Sequence, residues 1–348
     1  FTLTGGKVLH HNFGGRLAED IDQILLDRTR SPRPPEGGHL PKGWSKAWDW
    51  GKFPESDNDM GDHKLALKAA EALKQNFDQP FFMSVGFFRP HVPLFAPAKW
   101  FDLYDPDTLV LAHPHPGDMD DIPKNFQSIN DYAVAPTHQQ VVKTESHLGL
   151  THAYLASVSF VDHCVGIVID ALASSKHADN TIVVLWSDHG FHLGEKHHWA
   201  KRTLWEESTK VPLLITMPKL DAGECIEPAS LIDIFPTLTE LCKIPAPKHL
   251  EGISLMPQLN DPQTTRLHPA ITSSYYGNHA IRTRNFRLIR YEDGAEELYD
   301  HRTDPNEHTN LINTPGYQAT REQLAEWLPK NAAEEFKQTS ERERNKKK

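Results

Sequence analysis

The sequence predicts an α/β fold: a large mixed sheet flanked by helices, with a small antiparallel sheet near the C-terminal end. Three observations carry this. A long helical pattern runs from Thr144 to Ser175, with Leu148, Leu155, Val158, Val165 and Leu172 on a recurring spacing. Two apolar runs follow it, Thr181 to Trp186 and Val211 to Met217, each of strand length. Beyond about residue 264 the runs shorten and alternate with tight turns at Arg284-Asn285 and Asp293-Gly294.

Taken in order, Phe1-Thr2-Leu3-Thr4 alternates like the end of a strand and breaks at Gly5-Gly6. A domain seldom opens inside a strand, and no charged-then-apolar leader is present, so the expectation is a truncated or processed chain. Residues 14–62 are rich in Gly, Pro, Asp and Trp and read as a long irregular excursion. His63 to Phe77 reads as a helix, and Phe81 to Phe87 as a buried strand that stops at Arg89-Pro90-His91-Val92-Pro93. Residues 105–140 are again loop-like. A further amphipathic helix spans 229–243, and Tyr317 to Trp327 forms a last one. The expected division is residues 1–264 as the main domain, 265–339 as a small α+β subdomain, and 340–348 as a charged tail.

Composition narrows the function. At roughly 150 residues per domain, 348 residues suit two domains or one large unit with an appendage. The 47 acidic residues exceed the 37 basic ones, giving a net charge of -10 that argues against a general nucleic-acid binder. No stretch is read as an integral membrane segment, since none approaches the roughly 20 apolar residues needed to span a bilayer. Cys164, Cys225 and Cys242 are too few for a disulfide scaffold or a Cys-rich zinc module. The 21 histidines invite a search for a metal or acid–base site, because imidazole titrates near neutrality and ligates metals.

In open α/β sheets the ligand lies beyond the carboxyl ends of the strands, and three such exits carry polar residues. After Trp186 come Ser187-Asp188-His189-Gly190, where a carboxylate and an imidazole offer a hard oxygen and a borderline nitrogen to a divalent cation. The same residues also suit a plain turn, with Asp188 capping and Gly190 bending, so both readings stand. Lys7 and His10 lie three apart after the first strand and could hold an anionic group, although for the pair alone a surface lysine beside an incidental histidine is the favoured reading. His91 sits among prolines in a rigid loop, and Lys201 lies just past the histidine-rich stretch His189, His192, His197, His198.

Together and in order, Gly6-Lys7-Val8-Leu9-His10, Phe81 through Arg89-Pro90-His91-Val92-Pro93, Trp186-Ser187-Asp188-His189-Gly190 through Glu195, and Trp199-Ala200-Lys201 resemble the type I sulfatase family, most closely its iduronate-2-sulfatase-like members. The ending from Ile281-Arg282-Thr283 through Glu297-Leu298-Tyr299-Asp300 to Asn310-Leu311 is similar to that family's C-terminal domain. The resemblance implies an alkaline-phosphatase-like fold and hydrolysis of a sulfate ester on a sulfated sugar or glycan. It implies Asp188 and His189 as ligands of one Ca²⁺, Lys7 and His10 at the sulfate and nucleophile, and His91 and Lys201 holding the sulfate and assisting the leaving oxygen. It further implies a secreted or periplasmic protein.

The resemblance also marks a departure. Sulfatases carry a formylglycine made from Cys or Ser in a Cys-x-Pro/Ala-x-Arg motif ahead of the Gly-Lys element. Cys164, Cys225 and Cys242 do not fit that motif, so the formylglycine is expected from a residue outside this chain, along with the remaining acidic metal ligands. Two alternatives remain: a metal-dependent phosphoesterase of the same superfamily, and a non-catalytic binder of sulfated glycans. Specificity is expected in residues 14–62 and 105–140 and around His279 and Arg282.

Overall fold

The computed structural model describes residues 1–9, 19–27, 29–112, 114–124, 126 and 134–330. Thirteen strands run in chain order among them: β1 Thr2–Gly6, β2 Gln23–Leu26, β3 Trp50–Lys52, β4 Phe82–Gly86, β5 Leu94–Ala96, β6 Val183–Trp186, β7 His192–Leu193, β8 Trp199–Ala200, β9 Leu213–Thr216, β10 Ala270–Ser274, β11 Asn278–Arg282, β12 Phe286–Arg290 and β13 Glu296–Asp300. The principal helices are α1 Gly61–Ala72, α2 His147–Ala173, α3 Ile234–Leu241 and α4 Gln318–Ala325.

The main body is mixed α/β. Parallel β1 lies between β2 and β4, in the order β2-β1-β4, while β6 and β9 form a separate antiparallel pair. Helix α2 packs on α1 and on the β3–β5 ribbon, burying Leu150, Ala153, Ala156, Phe160 and Cys164. That core continues through Trp48, Trp50, Leu94, Phe101 and Trp199. Truncating a ring such as Phe160 would cost about 3–5 kcal/mol in lost transfer energy and cavity. By length and composition α2 is apolar enough to cross a membrane, contrary to the sequence expectation that no stretch is. Its role in the core accounts for the small and apolar residues on its inner face.

The C-terminal sheet has the order β10-β11-β12-β13, antiparallel throughout. One face packs Ile281, Leu288 and Leu298 against Leu324 of α4, and the other packs Ala280, Ile289 and Tyr299 against Leu204 and Trp205 of the main body. Strand β10 was not legible in the sequence, because Ala-Ile-Thr-Ser-Ser carries a single large apolar side chain.

Burial is where sequence and structure differ most. The run Phe81 to Phe87 reads as a buried strand and Thr181 to Trp186 as an apolar one, yet β4 and β6 are only half covered. Trp186 is 47% exposed, Phe82 59% and Leu214 55%. Leu185 stands opposite Leu214 in the β6–β9 register, so two exposed leucines share one sheet face. Among the described residues β4 pairs only with β1 and β6 only with β9, leaving one edge of each unpaired.

Candidate active site

Four chain segments bring the site together at the carboxyl ends of their strands. The first crossing depends on two glycines. Gly6 has φ +75, and a Cβ there would sit 2.1 Å from the Gly86 carbonyl oxygen. A Cβ on Gly86 would in turn meet the Lys7 carbonyl carbon at 2.4 Å. With neither Cβ present, the Lys7 N–H donates to the Gly86 carbonyl at 2.6 Å, and the strand ends stay in contact as β1 hands over to Lys7. The Lys7 ammonium then lies 5.7 Å from the centre of the Phe88 ring.

The loop after β4 is locked from beneath. Buried Asp62, in the first turn of α1, accepts the N–H groups of Phe88 and Arg89 at 2.8 and 2.9 Å. Arg89, also buried, donates to the carbonyls of Phe95 and His91 at 2.9 and 3.1 Å. His91 donates from Nδ1 to the Val92 carbonyl at 2.7 Å, which leaves the Nε2 lone pair as its open function. Burial pulls the His91 imidazole down to about 4, against the Val92 carbonyl and with help from Lys7, Lys201 and His189.

His189 is held in the same way. Its Nδ1 donates to the Gly190 carbonyl at 2.8 Å, and its Nε2 accepts from the Lys201 ammonium at 2.7 Å. An Asp188 carboxylate oxygen lies 3.7 Å from that Nε2, on a side chain that is 69% exposed. Burial again depresses His189, opposed by the Gly190 carbonyl and by Asp188, and reinforced by Lys201 and Lys7. Lys201 is lowered first by burial and then by Lys7, with Asp188 opposing. Lys7, His91, Asp188, His189 and Lys201 therefore share one electrostatic field. His10 lies outside the described residues.

Lys201 is presented on a strained segment: Ala200 and Arg202 on either side have φ of 88 and 81. Two histidines hold the segment. His198 bonds the Lys201 carbonyl through Nε2 at 3.0 Å, and fully buried His192 pairs through Nε2 with the Thr203 hydroxyl at 2.9 Å. Thr203 passes the bond on to Ser208 at 2.8 Å. The histidine-rich stretch thus divides: His189 faces the site, whereas His192 and His198 brace it.

Asp188 and His189 converge from one turn and suit part of a cation shell, with a carboxylate oxygen as the hard donor. Ca²⁺ takes six to eight oxygen ligands, so the Asp188 carboxylate fits as one member of a larger set, and His189, its Nδ1 held by the Gly190 carbonyl, joins it only when the Lys201 ammonium leaves Nε2. Ligand atoms of Glu206, His301 and Glu307 also lie within 4.8 Å of one another. Guanidinium groups occupy that cluster. Arg287 donates to Glu307 at 2.5 Å and to Glu206, while Arg282 donates to Glu206 at 3.1 Å and meets His301 at 2.9 Å. It is an ion-pair hub joining the C-terminal sheet to the main body. Arg282, expected near the substrate, points into this hub.

Sequence reasoning missed the supports: Asp62, Arg89 and His198 act through backbone atoms, which no residue pattern announces. The Arg202 guanidinium donates to the Tyr275 hydroxyl at 2.9 Å, which ties the β10–β11 turn to the residue after Lys201.

This arrangement, cationic and imidazole groups at the strand ends of a mixed α/β body with an antiparallel C-terminal sheet, is a scaffold of the alkaline-phosphatase-like fold. The sulfatase family model matches residues 28–244, and a model of the N-sulphoglucosamine sulphohydrolase C-terminal region matches 194–334. The chain belongs to the sulfatase family. It is 43% identical over 286 residues to a sulfatase of Formosa agariphila, covering 82% of this chain and 56% of that protein. It is 31% identical to the choline-sulfatase of Rhizobium meliloti, covering 73% and 52%. In structure it is similar to a protein solved with its substrate D-glucosamine-2-N,6-O-disulfate, with TM-score 0.68, 22% identity, and 94% and 78% of the two chains covered. It is similar too to the phosphonate monoester hydrolase of Agrobacterium radiobacter, with TM-score 0.70, 20% identity, and 93% and 76% covered. The chain spans about half the length of the curated relatives it matches.

Proposed function

We propose that this chain forms the larger part of a calcium-dependent sulfuric ester hydrolase acting on a sulfated sugar or glycan, of the iduronate-2-sulfatase-like kind. The observation that carries the reading is the grouping of Lys7, His91, His189 and Lys201 in one electrostatic field, with Lys201 on His189 and the exposed Asp188 carboxylate 3.7 Å from that imidazole. A sulfate ester presents anionic oxygens to be clamped and an alkoxide leaving group to be protonated, and fixed cations stabilise both. Lys7 binds a sulfate oxygen. Lys201 carries protons, whereas His91 offers a lone pair at Nε2, so the leaving oxygen takes its proton from the Lys201 side. Ca²⁺, held in part by Asp188 and His189, supplies Lewis-acid polarisation of the sulfate when bound.

The nucleophile, a formylglycine, is proposed to come from a further segment of the same protein. Three features support this. The curated relatives are nearly twice as long. The edges of β4 and β6 are unpaired among the described residues, although the segments leaving both strands feed the same site. Apolar side chains on β6 and β9 stand uncovered. A strand placed between β4 and β6 would complete one sheet and deliver its own carboxyl end to the site. The family's habit of export suggests a secreted or periplasmic location. The test is sulfate release from a panel of sulfated sugars by the product of the complete reading frame. No release in the presence of Ca²⁺, with phosphate released from a phosphoester instead, would favour the phosphoesterase alternative.

A further inference from the structure

We infer that the β10–β11 turn, together with Arg202, forms a subsite for a sugar ring of an anionic glycan beside the reacting sulfate. This rests on the reading of the site given above. The turn Ser274-Tyr275-Tyr276-Gly277-Asn278 places two tyrosines at its tip, 62% and 44% exposed. Tyr275 has φ 54, a conformation that costs a bulky residue energy. The turn is nonetheless built firmly. Buried Asn278 donates its side-chain amide to the Tyr276 carbonyl at 2.8 Å and accepts the Glu292 N–H at 3.1 Å.

The turn's location gives it meaning. Tyr275 accepts a hydrogen bond from the exposed guanidinium of Arg202 at 2.9 Å, and Arg202 directly follows Lys201, which holds His189. Tyr275 and the Arg202 guanidinium therefore lie together one residue along the chain from Lys201, with Tyr276 beside Tyr275 in the same turn. Aromatic faces take the C–H face of a pyranose, and a guanidinium takes a carboxylate or sulfate in fork geometry. An anionic hexose or uronate ring offers both on one unit. His279, also on this hairpin, bonds Ser273 at 2.8 Å across the β10–β11 register, so its ring is committed to the sheet.

The test is equilibrium binding of a sulfated heparin-derived tetrasaccharide to the product of the complete reading frame, by calorimetry, for the wild type, Tyr275→Ala, Tyr275→Phe, Tyr276→Ala and Arg202→Gln, each checked for an unchanged melting curve and assayed in parallel for sulfate release. Tyr275→Ala and Tyr276→Ala are expected to weaken binding roughly tenfold, the range of a lost sugar–aromatic contact. Tyr275→Phe, which keeps the ring, should stay within about threefold, and Arg202→Gln should lower the salt dependence of binding. The inference falls if both alanine variants bind within about threefold of wild type, or if Tyr275→Phe loses as much as Tyr275→Ala. A ring-dependent loss of binding in a protein that releases no sulfate would keep the subsite and overturn the hydrolase reading. The reverse result would separate the two the other way.

Discussion

The Lys201 ammonium lies 2.7 Å from Nε2 of His189, on a segment held by two positive-φ neighbours. The contact joins the cation proposed to act at the leaving oxygen to a proposed metal ligand. Lys201→Ala in the full-length protein is expected to lower kcat/KM for sulfate release by about 10²–10³-fold, the range for one lost charge-stabilising donor. Lys201→Arg should not restore it, because a planar fork cannot replace a point charge between His189 and the substrate. Steady-state kinetics check both.

Chelation should abolish sulfate release, and Ca²⁺ should restore it. Asp188→Ala is expected to raise the Ca²⁺ concentration needed for half-maximal activity, since it removes the only carboxylate in the described part of the site. A calcium titration of activity in both proteins reads this directly.

The ion-pair hub sets the stability of the junction between the C-terminal sheet and the main body. Arg287→Leu leaves Glu206 and Glu307 without their shared guanidinium and is expected to cost about 3–5 kcal/mol. Urea unfolding measures it.

Acid should unfold the protein in two stages. Burial holds His91 at about 4 against an ordinary 6.5, so its contribution is whole above 6.5 and is lost as pH falls toward 4. Buried His192, lowered by burial and by His198, acts in the same direction. Burial alone would raise Glu206, but Arg287 and Arg282 hold it down to about 2 against 4.5. Its contribution is therefore whole above 4.5 and disappears toward 2. Melting temperature against pH should decline through both windows, and Glu206→Gln should flatten the lower one. A constant melting temperature from pH 6.5 to 4.5 would contradict the first stage.

The element pattern was legible because periodicity reports local packing. The Thr144–Ser175 pattern became α2 at His147–Ala173, and the run ending at Trp186 became β6. Lys7, His91 and Asp188 were legible because each follows a run of strand length, and Lys201 through the family resemblance; the structure brings His189 and Lys201 into contact and Lys7 and His91 into the same field. Burial was not, since Leu185 and Leu214 are apolar enough for a core that the described chain does not enclose. The second layer of the site was not either. Asp62 and His198 work through N–H and carbonyl groups, and Arg282 is turned inward by Glu206 and His301.

The exposed β6–β9 face predicts that this chain alone binds a hydrophobic dye and shows red-shifted Trp186 emission, whereas the full-length protein does neither. Dye titration and fluorescence spectra of the two proteins compare them.

The most direct test is sulfate released from a sulfated oligosaccharide by the full-length protein, measured by ion chromatography with and without Ca²⁺. The predicted result is calcium-dependent sulfate release that Lys201→Ala reduces at least about a hundredfold. Sulfate release unaffected by chelation and by Lys201→Ala, or none at all with Ca²⁺ present, would contradict the account.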